Sequence, residues 1–352
     1  MQKNIDTPCI VTRPRDFGGY GALLNGRAVL VTGGTGSFGR CFVSTLLREG
    51  KPSRLVVLSR DELKQYEMDQ DLREQAFDHA PVRFFLGDVR DEARLEMAFN
   101  GIDVVIHAAA LKQVPAAEYN PFECIHTNVM GAENVVRAAI RAGVKQVVAL
   151  STDKACSPIN LYGASKLASD KIFIAANHLS GAGGCRFAVV RYGNVMGSRG
   201  SVVTYFRRLA ERGCDYVPIT DSRMTRFWIT VEQGVSFVLS CLVIMQGGEL
   251  FVPKIPSVKV TELAEALIPG VPHKIVGIRP GEKLHESMIT EDDARNTLEL
   301  TDRYVVEPQP SFYAQGERRG PAVGSRVPED FRYASDSNTE WLGVEELRVW
   351  AS

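Results

Sequence analysis

The chain has no Cys-x-x-Cys pair, no apolar run long enough to cross a membrane and no excess of either charge. Its seven cysteines, at positions 9, 41, 124, 156, 185, 214 and 241, are scattered. That spacing argues against a zinc knuckle or a disulfide framework and fits a reducing cytoplasm. The most apolar stretch, Val235 to Met245, is interrupted by serines and falls short of the roughly 20 residues that span a bilayer. It reads as a buried helix, and no membrane partner is expected. Lys and Arg number 41 against 42 Asp and Glu, a balance that offers no polyanion-binding face, so no nucleic-acid partner is expected. His107 and His126 lack companions at ligand spacing, which predicts core or supporting roles for both and no metal. Residues 1–26 carry Asp6, Asp16 and two prolines without an apolar core. They do not resemble a secretory signal and read as an extension with no assigned role.

What is present is alternation. From Arg27, β-rich runs (28–32, 54–59, 82–86, 103–107, 146–150, 186–191) alternate with helical patterns (38–49, 91–99, 123–142, 162–177). The runs look buried on both faces, as in a parallel sheet. This order predicts an α/β fold, a doubly wound parallel sheet of the Rossmann kind, over residues 27–192. Beyond Arg191, Gly and Pro punctuation predicts a smaller, discontinuous substrate-binding lobe over 193–308, with a helix at about 227–245 returning to the first domain. Residues 309–352 form a C-terminal segment in which Tyr333, Trp341 and Leu342 are candidate anchors.

The first β-run leads straight into Gly33-Gly34-Thr35-Gly36-Ser37-Phe38-Gly39 and a helix. Small residues there let a pyrophosphate approach backbone N–H groups at the positive helix end. The second run ends in Ser59-Arg60-Asp61-Glu62-Leu63-Lys64, where a ribose-reading acid would favour NAD. Arg60, with Ser59 and Lys64, is instead placed for a 2′-phosphate, which predicts NADP. The alternative is a solvated helix entry capped by Asp61. Asp88 and Val89 follow the third run as candidate adenine-edge contacts, and Ala108-Ala109-Ala110 after the fourth leave room for the cofactor.

The fifth run opens onto Ser151-Thr152-Asp153-Lys154 and, shortly after, Tyr162-Gly163-Ala164-Ser165-Lys166. Tyr162 and Lys166 share a helix face, so the ammonium, together with a cationic nicotinamide, favours ionisation of a phenol whose ordinary pKa is about 10. That phenol can then take a hydroxyl proton as hydride leaves the same carbon. Asp153 and Lys154 add a second acid/base couple that a simple alcohol dehydrogenase does not need; the alternative is a surface ion pair. For Lys154 to act as a base it must be neutral part of the time, which burial and Lys166 are expected to encourage.

Together these motifs resemble the extended short-chain dehydrogenase/reductase superfamily. The strings GGTGSFGRCF, SRDELKQYEM, GDVRDE, HAAALKQVPAAEYNPFECIHTN, LSTDKACSPINLYGASK, VVRYGNVMGSRGSV, TDSRMTRFWIT, FVPKIPS and GIRPGEKLHE resemble the inverting UDP-N-acetylglucosamine 4,6-dehydratases of pseudaminic acid biosynthesis. Asp-Lys at 153–154, where retaining relatives carry Asp-Glu, and the phenol at 162 favour this branch; Cys156 stands where relatives more often have alanine. The resemblance implies a hydro-lyase with tightly bound, recycled NADP. It implies oxidation of UDP-N-acetylglucosamine at C4 with Tyr162 as base. Lys154 would remove H5 while Asp153 protonates the departing C6 hydroxyl, hydride would return to C6 and C5 would be inverted. The product would be UDP-2-acetamido-2,6-dideoxy-L-arabino-hex-4-ulose, destined for polysaccharide biosynthesis and flagellin glycosylation. The division of roles between Asp153 and Lys154 stays open. Thr152, Asn194, Arg199, Ser201, Arg226, Arg279 and Glu282 are candidates for the sugar and the UDP half, with Lys112 and Thr127 reaching the cleft. A structural ion pair is the alternative for each. The resemblance also implies a homo-oligomer, hexamers included. A UDP-sugar 4-epimerase and a non-catalytic NADP-sensing scaffold are the rival readings.

Overall fold

The structure, a computed structural model, describes residues 9–18, 22–75, 81–181, 183–198, 200–308 and 324–351. Arg199 lies outside the described residues, as do 1–8 and 309–323. The main sheet has ten strands. From one edge they run Val82–Leu86, Arg54–Ser59, Ala28–Thr32, Val104–His107, Gln146–Thr152, Arg186–Tyr192 and Leu250–Pro253, all parallel. Arg303–Val306, Thr297–Glu299 and Ser325–Arg326 then complete it in antiparallel register. In chain order the first six are arranged 3-2-1-4-5-6, so the chain reverses direction across the sheet between Ala28–Thr32 and Val104–His107. Ligands of such sheets gather beyond the strand carboxyl ends at this switch. The sheet also reaches past residue 192, because Leu250–Pro253 and its neighbours extend it.

The central strands are apolar on both faces because helices cover both: in Ala28–Thr32 and Val104–His107 every residue is buried. Val82–Leu86 departs from that expectation. It is the outermost strand, half-exposed, and its Phe85 ring is covered by the guanidinium groups of Arg54 and Arg94 at 5.6 and 5.3 Å.

Two expected helices are broken for identifiable reasons. The segment 227–245 is not one helix. Thr225–Ile229 is a fully buried strand, rich in aromatic and β-branched residues, and a new helix, Val231–Ile244, starts from a capping box between Thr230 and Gln233. This helix does return to the main domain, packing on Ser37–Glu49. The segment 123–142 is divided into Pro121–Ile125, a π-turn His126–Met130 and Gly131–Ala142. The π-turn brings Asn128 under the loop that follows Val104–His107, where its amide clamps Leu111 N and O at 2.8 and 2.9 Å.

A second sheet is built from distant pieces: Cys9–Ile10, Glu340–Trp341, Ser257–Lys259, Thr225–Ile229 and Asn194–Val195. Tyr333 and Leu342 are buried, and the Tyr333 hydroxyl bonds both backbone groups of Ile255. Both ends of the chain therefore help to fix the smaller lobe. The described part of the extension is docked: Cys9–Ile10 pairs with Glu340–Trp341, Arg15 pairs with Glu340, and Phe17, fully buried, sits edge-on to Phe237 at 4.9 Å. Phe17→Ala should cost about 3–5 kcal/mol in urea denaturation, the range for emptying a packed phenylalanine site. A loss below about 0.5 kcal/mol, the range of neutral surface changes, would contradict the docking.

Candidate functional site

Beyond the carboxyl ends of the parallel strands lies a cleft of about 1150 Å³, larger than the roughly 300–1000 Å³ of a single small-molecule site. One end is the glycine turn. Gly33 has φ +64°, and a Cβ there would lie 2.9 Å from the Ala109 Cα. Gly36 caps Ser37–Glu49 without any side-chain cap bond. The turn thus holds open a small-residue pocket at a helix N-terminus, the arrangement that receives a pyrophosphate. Gly33, Thr35, Gly36, Ser37, Phe38, Gly39, Ser59, Arg60, Lys64, Asp88, Val89, Ala108, Ala109, Ala110 and Lys112 all line the same cleft. Thr127, brought there by the π-turn, keeps its buried hydroxyl without a partner. These features fit a dinucleotide.

Two details differ from expectation at this end. Lys64 is bonded to Asp61, which also caps Glu62–Glu74 by accepting from Lys64 N at 3.0 Å, so much of the lysine's charge is answered locally. Asp88 is held by Arg90 at 2.8 Å, with Arg60 at 3.7 Å, so its carboxylate is engaged with arginines instead of standing open to a base edge.

The chemical groups converge at the middle of the cleft. Gln146–Thr152 ends in a single 3-10 turn, Asp153–Ala155, and the helix Leu161–Ser180 begins at Asn160, whose side chain accepts from Gly163 N at 2.7 Å. Gly163 is required by proximity: a Cβ there would lie 2.2 Å from the Lys154 carbonyl oxygen. That approach sets Tyr162 beside Lys154. Burial pushes the Tyr162 phenol up to about 12, opposed by the Lys154 ammonium and a hydrogen bond with Thr152. Lys154 thus joins Lys166, placed at i,i+4 on the same helix, as a cation near the phenol. Lys166 lies deeper. Burial lowers its pKa, Asp170 opposes this, and Asp170 is itself held by Ser151 at 2.8 Å and Arg191 at 3.2 Å.

Lys154 lines the cleft, but Asp153 does not: its side chain is 1% exposed, behind the wall, with Oδ1 accepting from Thr152 at 2.9 Å and Lys154 at 3.0 Å. Direct contact of Asp153 with a ligand was expected; the 3-10 turn points it inward. The expected easing of Lys154 toward neutrality also fails in this state. Burial works against its charge, yet Asp153 and Glu286 prevail and hold it above the ordinary lysine range. His107 is buried, bonded to Thr32 at 2.9 Å, and driven down to about 3 by burial and Lys166, as a core residue should be. His126 is exposed, so of the core and supporting roles expected for it the core one does not hold. Among the described residues no cluster suited to a metal occurs.

Thr152, Asn194, Ser201, Arg226, Arg279 and Glu282 all reach the cleft. Asn194 Oδ1 is 3.5 Å from the Lys154 ammonium. Ser201 caps Val202–Arg212, accepting from Thr204 N. Arg226 is largely committed elsewhere, its guanidinium donating to the carbonyls of Thr225, Lys283 and Leu284 at 2.6–3.1 Å, so it straps its own strand to the segment 283–284. Arg279 and Glu282 are exposed or half-exposed neighbours 4.0 Å apart. Wall residues that sequence reasoning missed include Tyr192 at the end of Arg186–Tyr192, Arg208 and Glu286. Glu286 closes the string GIRPGEKLHE, and Lys283 three residues before it was the available signal.

A family model for polysaccharide biosynthesis proteins matches residues 29–308. The UDP-N-acetylglucosamine 4,6-dehydratase (inverting) of Campylobacter jejuni subsp. jejuni serotype O:23/36 (strain 81-176) is 52% identical, over 92% of this chain and 97% of that protein. A UDP-glucose 4-epimerase of Rickettsia conorii (strain ATCC VR-613 / Malish 7) is 36% identical over 92% and 94%. The X-ray structure of Pen from Bacillus thuringiensis is similar with a TM-score of 0.82 at 34% identity, over 93% of this chain and 98% of that one. The chain belongs to this polysaccharide biosynthesis family of the extended short-chain dehydrogenase/reductase superfamily, in the group of the inverting UDP-N-acetylglucosamine 4,6-dehydratases.

Proposed function

We infer that the chain is a hydro-lyase that converts UDP-N-acetylglucosamine to the 4-keto-6-deoxy sugar with inversion at C5, using NADP. The observation that carries this reading is the meeting of Tyr162 and Lys154 on the wall of one cleft that runs from the glycine turn to the Arg279 loop. The cofactor would be held by Gly33 to Gly39, Thr127, Lys166 and the loop Ala108–Ala110. When bound, a nicotinamide supplies reversible uptake of hydride from C4 and its return at C6. NADP over NAD is supported by Arg60, exposed at the cleft wall with Ser59, and by the commitment of Asp61 to its helix cap.

The residues then divide the proton work. Tyr162 takes the C4 hydroxyl proton, helped by the nearby ammonium and by the positive charge of the oxidised ring. The resulting C4 ketone acidifies H5. Lys154, once neutral, takes that proton, and Asp153 acts through it, since the two share a 3.0 Å hydrogen bond and only the lysine meets the cleft. Such a pair titrates as a unit. Lys154 passes that proton to the departing C6 hydroxyl, which leaves as water; hydride returns to C6, C5 takes a proton of solvent origin on the opposite face, and Tyr162 gives its own back to solvent. Asn194, Ser201, Arg208, Arg279 and Glu282 are the groups available to the UDP half, with arginine suited to diphosphate. The product would enter pseudaminic acid and flagellin glycosylation, the enzyme would work in the cytoplasm, and copies of the chain would assemble as a homo-oligomer.

Incubated with UDP-N-acetylglucosamine, the enzyme should yield a product lighter by one water. An unchanged mass with a new C4 configuration would mean a 4-epimerase, and cofactor binding without turnover would mean a scaffold. Lys154→Ala should lower dehydration at least about a hundredfold, as loss of a general base does, while cofactor binding persists; near-normal dehydration would remove the lysine from the mechanism. Arg60→Ala should weaken NADP binding about tenfold or more, the worth of a charge-assisted bond to phosphate. NAD binding should be nearly unaffected, and equal losses for both cofactors would exclude a 2′-phosphate contact.

A further inference from the structure

Asp153 is walled off from the cleft, but a second buried carboxylate meets it. Glu286 is 1% exposed, lines the cleft, and sits between two ammonium groups, 3.4 Å from Lys154 Nζ through Oε1 and 3.5 Å from Lys283 Nζ through Oε2. Its Oε2 makes no hydrogen bond.

The position is imposed by backbone. Ser287–Ile289 pairs with Tyr333–Ala334, Glu286 N donates to Ser335 Oγ at 2.9 Å, and Ser335 N donates back to Glu286 O at 2.8 Å. The carboxylate is therefore delivered by a part of the chain remote from the strand that carries Lys154. The charged groups around that lysine are Asp153 on its own turn, Glu286 and Lys283 from the second lobe, and Arg226 from Thr225–Ile229, with the Tyr162 phenol on the facing helix. Two carboxylates thus confront two lysines and an arginine largely occupied by carbonyls. A buried ion pair generally contributes less stability than an apolar pair of the same size. A carboxylate with an unbonded oxygen at a cleft wall is more readily understood through what it does to its neighbour.

We propose that Glu286 is a positioning residue of the dehydration: its carboxylate holds the Lys154 ammonium at the cleft wall and sets the pH at which that lysine can accept the carbon-bound proton. This rests on the reading of Lys154 as the base. One proton passes from C5 to the lysine nitrogen; Glu286 stays ionised and makes or breaks no covalent bond. The sign follows from the charges. Asp153 and Glu286 both lie in ion-pair range of Lys154 and favour its charged form, so elimination quickens as pH rises through its pKa. Removing the Glu286 charge lowers that pKa and moves the rise to lower pH. Removing Lys283, which shares the carboxylate, leaves more of the negative charge on Lys154 and moves the rise to higher pH.

The test is the single-turnover rate of water loss from UDP-N-acetylglucosamine as a function of pH, for the full chain and its variants. Glu286→Gln should shift the rise down by about one to two pH units, the size expected for loss of an opposite charge within contact range. Glu286→Asp, which keeps the charge, should stay near the parent, and Lys283→Met should shift it upward. A folded Glu286→Gln enzyme with an unmoved profile, or shifts of the same sign in Glu286→Gln and Lys283→Met, would overturn the proposal. Should Glu286→Gln fail to fold, the Lys283→Met arm decides alone: an upward shift supports, an unmoved profile overturns. Lys154→Ala separates the two layers. If that variant still dehydrates, the base reading fails and this one with it. If it is inactive while the Glu286→Gln profile is unmoved, this inference fails alone.

Discussion

A single ammonium, that of Lys154, is held between two carboxylates that come from different parts of the chain, Asp153 at 3.0 Å and Glu286 at 3.4 Å. Charges of this kind are stable away from water only when paired, so the two lobes are tied to a common geometry at the point where chemistry is to happen. The first lobe supplies the lysine at the end of a buried strand. The second supplies the glutamate on a backbone clamped by Ser335. Between them Tyr162 is brought close by a glycine at 163 that lets its helix approach the Lys154 carbonyl. The position of each reactive group is thus fixed by a feature of the backbone: a strand end, a 3-10 turn, a capped helix start and a short antiparallel pair.

The same logic orders the cleft along its length. Parallel strands deliver small residues and helix N-termini at the dinucleotide end, where backbone N–H groups face an anion. Loops of the second lobe deliver polar and basic side chains at the other end. The reactive middle is where the two meet. The expected chemistry needs both a cofactor that cycles and a sugar nucleotide that stays bound through several proton transfers, and a cleft larger than a single-ligand site suits that need.

Much of this was legible in the sequence because it depends on local pattern. The strand ends at Thr32, Ser59 and His107 follow from runs of buried β-branched residues, and the glycine turn from its place between strand and helix. What could not be read depends on where side chains point after folding. Nothing in Asp153-Lys154 says that the 3-10 turn sends the carboxylate inward and the amine outward. The i,i+4 spacing of Tyr162 and Lys166 could not show that Lys154 also comes near the phenol, since it arrives through tertiary packing. Thr225–Ile229 and Val231–Ile244 ran together as one apolar stretch until the Thr230 capping box separated them. Glu286 lay in a quoted string, but its pairing across more than 130 residues leaves no periodic trace.

The central claim is that C4 oxidation enables removal and replacement of the C5 proton by the group around Lys154. It is tested most directly by NMR of the product formed from UDP-N-acetylglucosamine in deuterated water. The account predicts a 4-keto-6-deoxy sugar carrying solvent deuterium at C5 with the configuration there inverted. A product that retains the substrate proton at C5, or that keeps its C6 hydroxyl, would contradict it.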